Sequence, residues 1–119
     1  MRATLTPAAR LHRPSEYANA LKGRRIARGA LFVLHASRTK NDTLTPRLGL
    51  IIAKRHAPKA VSRNTIKRVL REAFRHRQGD LVPRDYVFRL HSPIGTLGLG
   101  QLKRMVRAEA DALLDKATP

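Results

Sequence analysis

Among the residues that could transfer protons or bind a metal are five histidines, His12, His35, His56, His76 and His91. None of them stands at the HxH or HExxH spacing that aims two imidazoles at one ion. Carboxylates are scarce, eight in all, and three of them, Glu109, Asp111 and Asp115, fall close together near the C-terminus. The glycines of GTLGLG (Gly95, Gly98 and Gly100) superficially resemble a phosphate loop. They lack the Lys-Ser/Thr of a P-loop and the onward spacing of a dinucleotide site, so a plain loop accounts for them better. His76 stands among arginines, where contact with an anion or with solvent fits better than catalysis. The absence of cysteine excludes a disulfide framework and thiolate-bound metal, and suits a reducing compartment. The sequence offers no self-sufficient active site.

What it offers instead is cations. The stretch Lys54–Arg77, KRHAPKAVSRNTIKRVLREAFRHR, holds nine Lys and Arg residues against one acid, Glu72. At 3.6 residues per turn Ile66, Val69, Leu70, Ala73 and Phe74 make an apolar stripe. Arg63, Lys67, Arg71 and Arg75 follow one another at i, i+4 beside it, with Arg68 on the flank. Four stacked cations repel one another, and nothing in the local sequence offsets that cost. A solvated basic face is the bland explanation; a face held for a polyanion explains the density and the missing acids better.

Composition supports this. The chain has 119 residues, a formal charge of +17 and a pI near 11.8, so a single modest core must carry a strongly self-repelling surface. Nucleic acid is the expected partner. An anionic membrane is the competitor, but there is no long apolar run and no lipidation signal. The N-terminus, MRATLTPAARLHRP, lacks the apolar stretch of a secretory signal, which makes the cytoplasm the default location.

The elements that must position these residues follow from periodicity. A single domain over residues 1–119 is expected, with residues 1–14 as a loose basic lead-in. SEYANALKG predicts a short helix ending at Gly23, and Arg24-Arg25 and Arg28-Gly29 a basic link. Residues 30–37, ALFVLHAS, predict a strand with Phe32 and Leu34 on one side and Leu31, Val33 and His35 on the other. A polar loop with Asn41-Asp42 at its turn leads to a second strand from about Arg47 to Lys54, suggesting an antiparallel pair. The basic helix starts between Pro58 and Ser62, with Ser62 a candidate cap, and Gly79-Asp80 ends it. DYVFRL predicts a third strand. Apolar residues at 99, 102, 106, 110 and 113 predict a last helix to about Asp115. The class is α+β, one sheet with helices mainly on one face.

The run RLGLIIAKRHAPKAVSRNTIKRVLREAFR closely resembles the signature of the protein subunit of bacterial ribonuclease P. Leu48-Gly49-Leu50, Lys54-Arg55, Ala60-Val61 and Arg63-Asn64-Thr65-Ile66-Lys67-Arg68 occupy the family's places, completed by Arg71-Glu72 and Phe74-Arg75. The flanks are similar too: Arg10-Leu11 with Ser15-Glu16-Tyr17, Phe32-Val33-Leu34, and Gly79 with Asp85. Two departures stand out. Thr65 replaces the second arginine of an Arg-Asn-Arg triplet, and Ala57-Pro58 stands where many members have glycine.

The resemblance implies an α-β sandwich with a central, mostly antiparallel sheet. It also implies a left-handed strand–helix–strand crossover, against the general right-handed rule. It implies a ribonucleoprotein endonuclease that removes the 5′ leader of precursor tRNA. There the RNA subunit is the catalyst and binds most of the Mg²⁺, with none tightly bound by the protein and no catalytic residue in it. Arg63, Asn64, Lys67, Arg68, Arg71 and Arg75, with Lys59, are then expected to face the catalytic RNA. A cleft between sheet and N-terminal helix would take the single-stranded leader, with Tyr17, Phe32, His35 and Phe88 as stacking candidates and Lys54 and Arg55 along its backbone. Core packing is the equal alternative for Phe32 and Phe88. The partners expected are ribonuclease P RNA and precursor tRNA with its leader, no membrane, and a monomeric free protein. The rivals are a ribosomal or assembly protein, a DNA-binding module and a self-sufficient nuclease.

Overall fold

Two short apolar runs, FVLHA and DYVFRL, set the architecture, because each has more apolar residues than one face of a sheet can use. In the computed structural model, which describes residues 5–119, they form β2 (Phe32–Ala36) and β4 (Asp85–Leu90). Around them lie α1 (Pro14–Lys22), β1 (Arg24–Arg28), β3 (Arg47–Ile51), α2 (Ala60–Arg77) and α3 (Leu99–Ala117). The sheet order is β1-β2-β4-β3. β2 runs antiparallel to both β1 and β4, with Leu34 opposite Phe88, while β3 runs parallel to β4, with Leu50 opposite Phe88.

The expected pairing of the second and third of these strands is corrected by this order: β4 separates β2 from β3. β4 is buried at every position but Arg89, so it needs a neighbour on each edge and cover on each face, and only an interior place supplies both. The link expected at Arg24-Arg25 is also corrected. RRIAR is an edge strand whose hydrogen bonds come from β2, with its register shifted by a bulge at Ile26.

One face carries α2 and α3. Phe32, Leu34, Tyr86, Phe88 and Leu90 meet Ile66, Leu70 and Phe74 of α2 and Leu102, Val106 and Leu113 of α3 in the main core. Phe74 and Tyr86 lie 5.9 Å apart, tilted by 59°. The other face carries α1 alone, over a smaller cluster of Leu11, Ala20 and Val87 with Tyr17 and Ile51 against it. The apolar stripe expected on α2 is the face it buries. Its first residue is Ala60, after an N-cap at Lys59, and Ser62 is buried within the first turn instead of capping it. α3 runs two residues past Asp115, to Ala117.

The lead-in expected to be loose is packed from Leu5 to Leu11. Residues 1–4 lie outside the described residues, but Leu5, Ala9 and Leu11 are buried, and Arg10 bridges Leu48 alongside β3. Residues 5–11 therefore hold to the β3 edge of the sheet, and this places Arg10 within reach of α2.

Candidate nucleic-acid interface

α2 can present a cationic surface because its opposite side is fixed in the core. Asn64, Lys67, Arg68 and Arg71 line one side of a groove of about 660 Å³, and Leu5 and Arg10 line the other. Glu72 sits at its edge, engaged with Arg75 at 2.9 Å and His76 at 3.3 Å. A second groove of about 260 Å³ shares Arg10, Lys67 and Arg71 and adds Leu11, His12, Tyr17 and Leu48. The two lie side by side across these shared residues, one on the exposed face of α2 and the other reaching the aromatic ring on α1.

The cations of these grooves are crowded together. Burial and the neighbouring charge of Arg10 both push the Arg71 guanidinium below its ordinary pKa, with Tyr17 acting weakly the other way. Among the described residues Arg10, Lys67, Arg68 and Arg71 form no ion pair. The Nε of Arg10 is buried and has no hydrogen-bond partner there.

α1 is held in place by its own acid. The Glu16 carboxylate accepts the backbone N–H groups of His12 and Arg13, both at 2.9 Å, closing the first turn behind Pro14. Its other oxygen meets Arg47 of β3 at 2.9 Å, and Arg47 in turn holds Asp85 of β4 at 2.8 Å. Those backbone donors, and then Arg47, keep the Glu16 carboxyl below its ordinary pKa. The lash sets Tyr17 against Gly49.

The expected RNA-facing set is thus brought together in part. Asn64, Lys67, Arg68 and Arg71 share the groove, and Lys59 is exposed at the start of the helix. Arg63 turns back to donate to the carbonyls of Ala57 and Pro58 at 2.9 and 2.8 Å, fixing the turn before α2. Arg75 is engaged at the α2–α3 seam, where Arg107 meets His76 at 3.0 Å and Asp111 at 3.1 Å. The stacked row of four cations is therefore split by partners close by in the chain, Glu72 one turn from Arg75 among them, which corrects the expectation that nothing local offsets the row; its middle members, Lys67 and Arg71, are the ones left open.

The expected leader set divides by sheet face. Tyr17 and His35 share the α1 face, with Arg89 donating to His35 Nε2 at 3.4 Å. Lys54 and Arg55 are exposed in the turn past Ile51, at the end of β3 away from the Glu16–Arg47 pair. Phe32 and Phe88 are corrected to core residues. Both are 0% exposed and pack edge to face at 6.2 Å on the α2–α3 side, where no base can reach them. Arg10 is the groove residue that helical spacing could not supply; it arrives through its bridge to Leu48.

These features define a small α+β protein with a cationic cleft between its second helix and its N-terminal segment. The family model for ribonuclease P matches residues 5–117, nearly the whole chain. The chain is 61% identical over 110 residues to the ribonuclease P protein component of Bordetella avium, covering 92% of each. It is 54% identical over 121 residues to that of Bordetella petrii, covering 99% of this chain and 98% of the relative. Its fold is that of the Staphylococcus aureus RNase P protein, with a TM-score of 0.71 at 22% identity over 93% of this chain and 98% of that one. The RNase P protein of Thermotoga maritima superposes with a TM-score of 0.61 at 20% identity, over 82% and 92% of the two chains. The chain belongs to the ribonuclease P protein family.

Proposed function

We propose that this protein binds the catalytic RNA of ribonuclease P and the 5′ leader of precursor tRNA, and so assists the RNA in cutting that leader away. The observation that carries this is the pair of adjacent grooves that share Arg10, Lys67 and Arg71. Cations that form no ion pair among the described residues line one end, and Tyr17 lies at the other, on the sheet face that also holds His35 and Arg89. A folded polyanion docks on Asn64, Lys67, Arg68 and Arg71 through its phosphates, releasing counterions. A single strand with unpaired bases stacks on Tyr17. The protein supplies position and charge, and bond breaking belongs to the RNA. We assign the Mg²⁺ to the RNA as well. No helix among the described residues is long and apolar enough to cross a membrane. We place the protein in the cytoplasm, as a monomer until it meets RNA.

Reconstitution tests this. Protein added to ribonuclease P RNA and precursor tRNA at low Mg²⁺ is expected to stimulate leader release. Absence of stimulation would sink the proposal, and cleavage by the protein without RNA would favour a self-sufficient nuclease.

A further inference from the structure

The seam between α2 and α3 is chemically two-ended. Toward the helix C-termini the cations have carboxylate partners: Arg75 with Glu72, Arg107 with Asp111, and Arg77 with Asp115. Toward the N-termini the seam opens into a groove lined by Val61, Asn64, Thr65, Arg68, Leu99 and Lys103. No acid lines it. Its floor is apolar and partly open to solvent, with Val61 53% and Leu99 40% exposed. Neither Arg68 nor Lys103 forms an ion pair among the described residues.

Thr65 sits between these two cations and offers the groove nothing. Its hydroxyl donates to the carbonyl of Val61 one turn earlier, at 2.8 Å. Thr65 therefore adds no charge to this groove, whose cations are Arg68 on α2 and Lys103 across from it on α3.

We propose that the RNA-docking surface does not stop at α2 but crosses Thr65 onto α3, where Lys103 contacts an RNA phosphate. This rests on the proposal that α2 docks the catalytic RNA, and it adds a helix to that surface. Arg68 and Lys103 flank a strip with a methyl-rich floor, so a phosphate between them keeps its water-facing oxygens while its ribose lies over Val61 and Leu99. An acidic protein segment is the weaker occupant, because the groove has no backbone edge for it to pair with.

The test uses the full chain and transcribed ribonuclease P RNA, with affinity measured across a salt series. Lys103 is exposed, so Lys103→Ala is expected to fold. Loss of one phosphate contact should weaken binding about fivefold at 0.1 M salt and make the log–log salt slope shallower by about 0.7. Lys116→Ala, the same charge change at the far end of α3, should leave the slope unchanged. Thr65→Arg placed in the Lys103→Ala chain should restore affinity and slope, because it returns a cation to the same groove. If Arg68→Ala weakens binding and Lys103→Ala does not, the extension onto α3 is overturned while docking by α2 stands. If neither change matters, the extension onto α3 is overturned, and Arg71→Met decides whether docking by α2 fails with it. If Lys116→Ala matches Lys103→Ala, or Thr65→Arg restores nothing, the groove is not the contact and the inference is overturned.

Discussion

The ring of Tyr17 rests on the bare backbone of Gly49. A Cβ added at Gly49 would lie 2.5 Å from Tyr17 Cε1 and 2.9 Å from Leu11 Cδ1. Gly49 is buried in a strand paired to β4, so its backbone cannot give way. The ring and α1 would have to lift instead. Gly49→Ala is therefore expected to cost about 1–3 kcal/mol of stability by overpacking. It should also reduce affinity for precursor tRNA relative to mature tRNA, leaving affinity for the catalytic RNA close to normal. Urea unfolding and paired tRNA titrations check this; unchanged leader discrimination would show that Tyr17 is not part of the leader site.

Glu109 gives a second prediction. From α3 its carboxylate accepts the Leu31 N–H at 2.9 Å and the Phe32 N–H at 2.6 Å, and Gly29 lies so close that a Cβ there would be 2.5 Å from its Cδ. It ties the last helix to the turn between β1 and β2. Glu109→Ala leaves two backbone donors without their acceptor and should destabilise by about 1–3 kcal/mol. Glu109→Gln, which keeps one acceptor oxygen, should cost less. Hydrogen exchange at Leu31 and Phe32 should quicken in the same order, and equal protection in both variants would refute the clamp.

Much of this fold is legible in local sequence, and the exceptions have identifiable causes. β2, β4 and the three helices follow from period-two and 3.6-residue patterns. β1 does not: RRIAR has no buried apolar residue of its own and is a strand because β2 offers it hydrogen bonds. The place of β4 between β2 and β3 is a pairing across nearly forty residues, which periodicity cannot address. Phe32 and Phe88 show the same limit at the site. Alternation says that they share a face, but only the packing of α2 and α3 says that this face is the core. Arg63 and Arg75 were drawn off the basic row by carbonyls and a carboxylate, whereas Arg10 joined it from a different part of the chain.

Arg71 separates binding from stability. In the free protein it is held near Arg10 with a lowered pKa, so its charge is a cost until an anion arrives. Arg71→Met keeps an apolar stem in the cleft and removes that repulsion. It is expected not to lower stability, while affinity for the catalytic RNA falls and the salt slope becomes shallower by about 0.7–0.9. Arg68→Ala should change the slope similarly. A full-strength salt slope in both variants would mean that this helix does not hold the RNA.

His35 predicts a pH dependence with a definite sign. It is 8% exposed on the α1 face, and burial first, then the charges of Arg89 and Arg25, lower its pKa from the ordinary 6.5. Nε2 accepts from Arg89, which requires the neutral ring. Between 6.5 and its lowered folded value, His35 takes up a proton more readily in the unfolded chain than in the folded one. Its contribution to stability is therefore complete above pH 6.5 and is lost as pH falls through the folded value. His35→Gln removes this titration while keeping a polar side chain beside Arg89. The difference in unfolding free energy between the two proteins should be flat above pH 7 and should shift in favour of the variant as the solution is acidified from about pH 6.5. Denaturant unfolding from pH 7.5 to 5 measures it, and parallel curves for the two proteins would show that His35 titrates alike in both states.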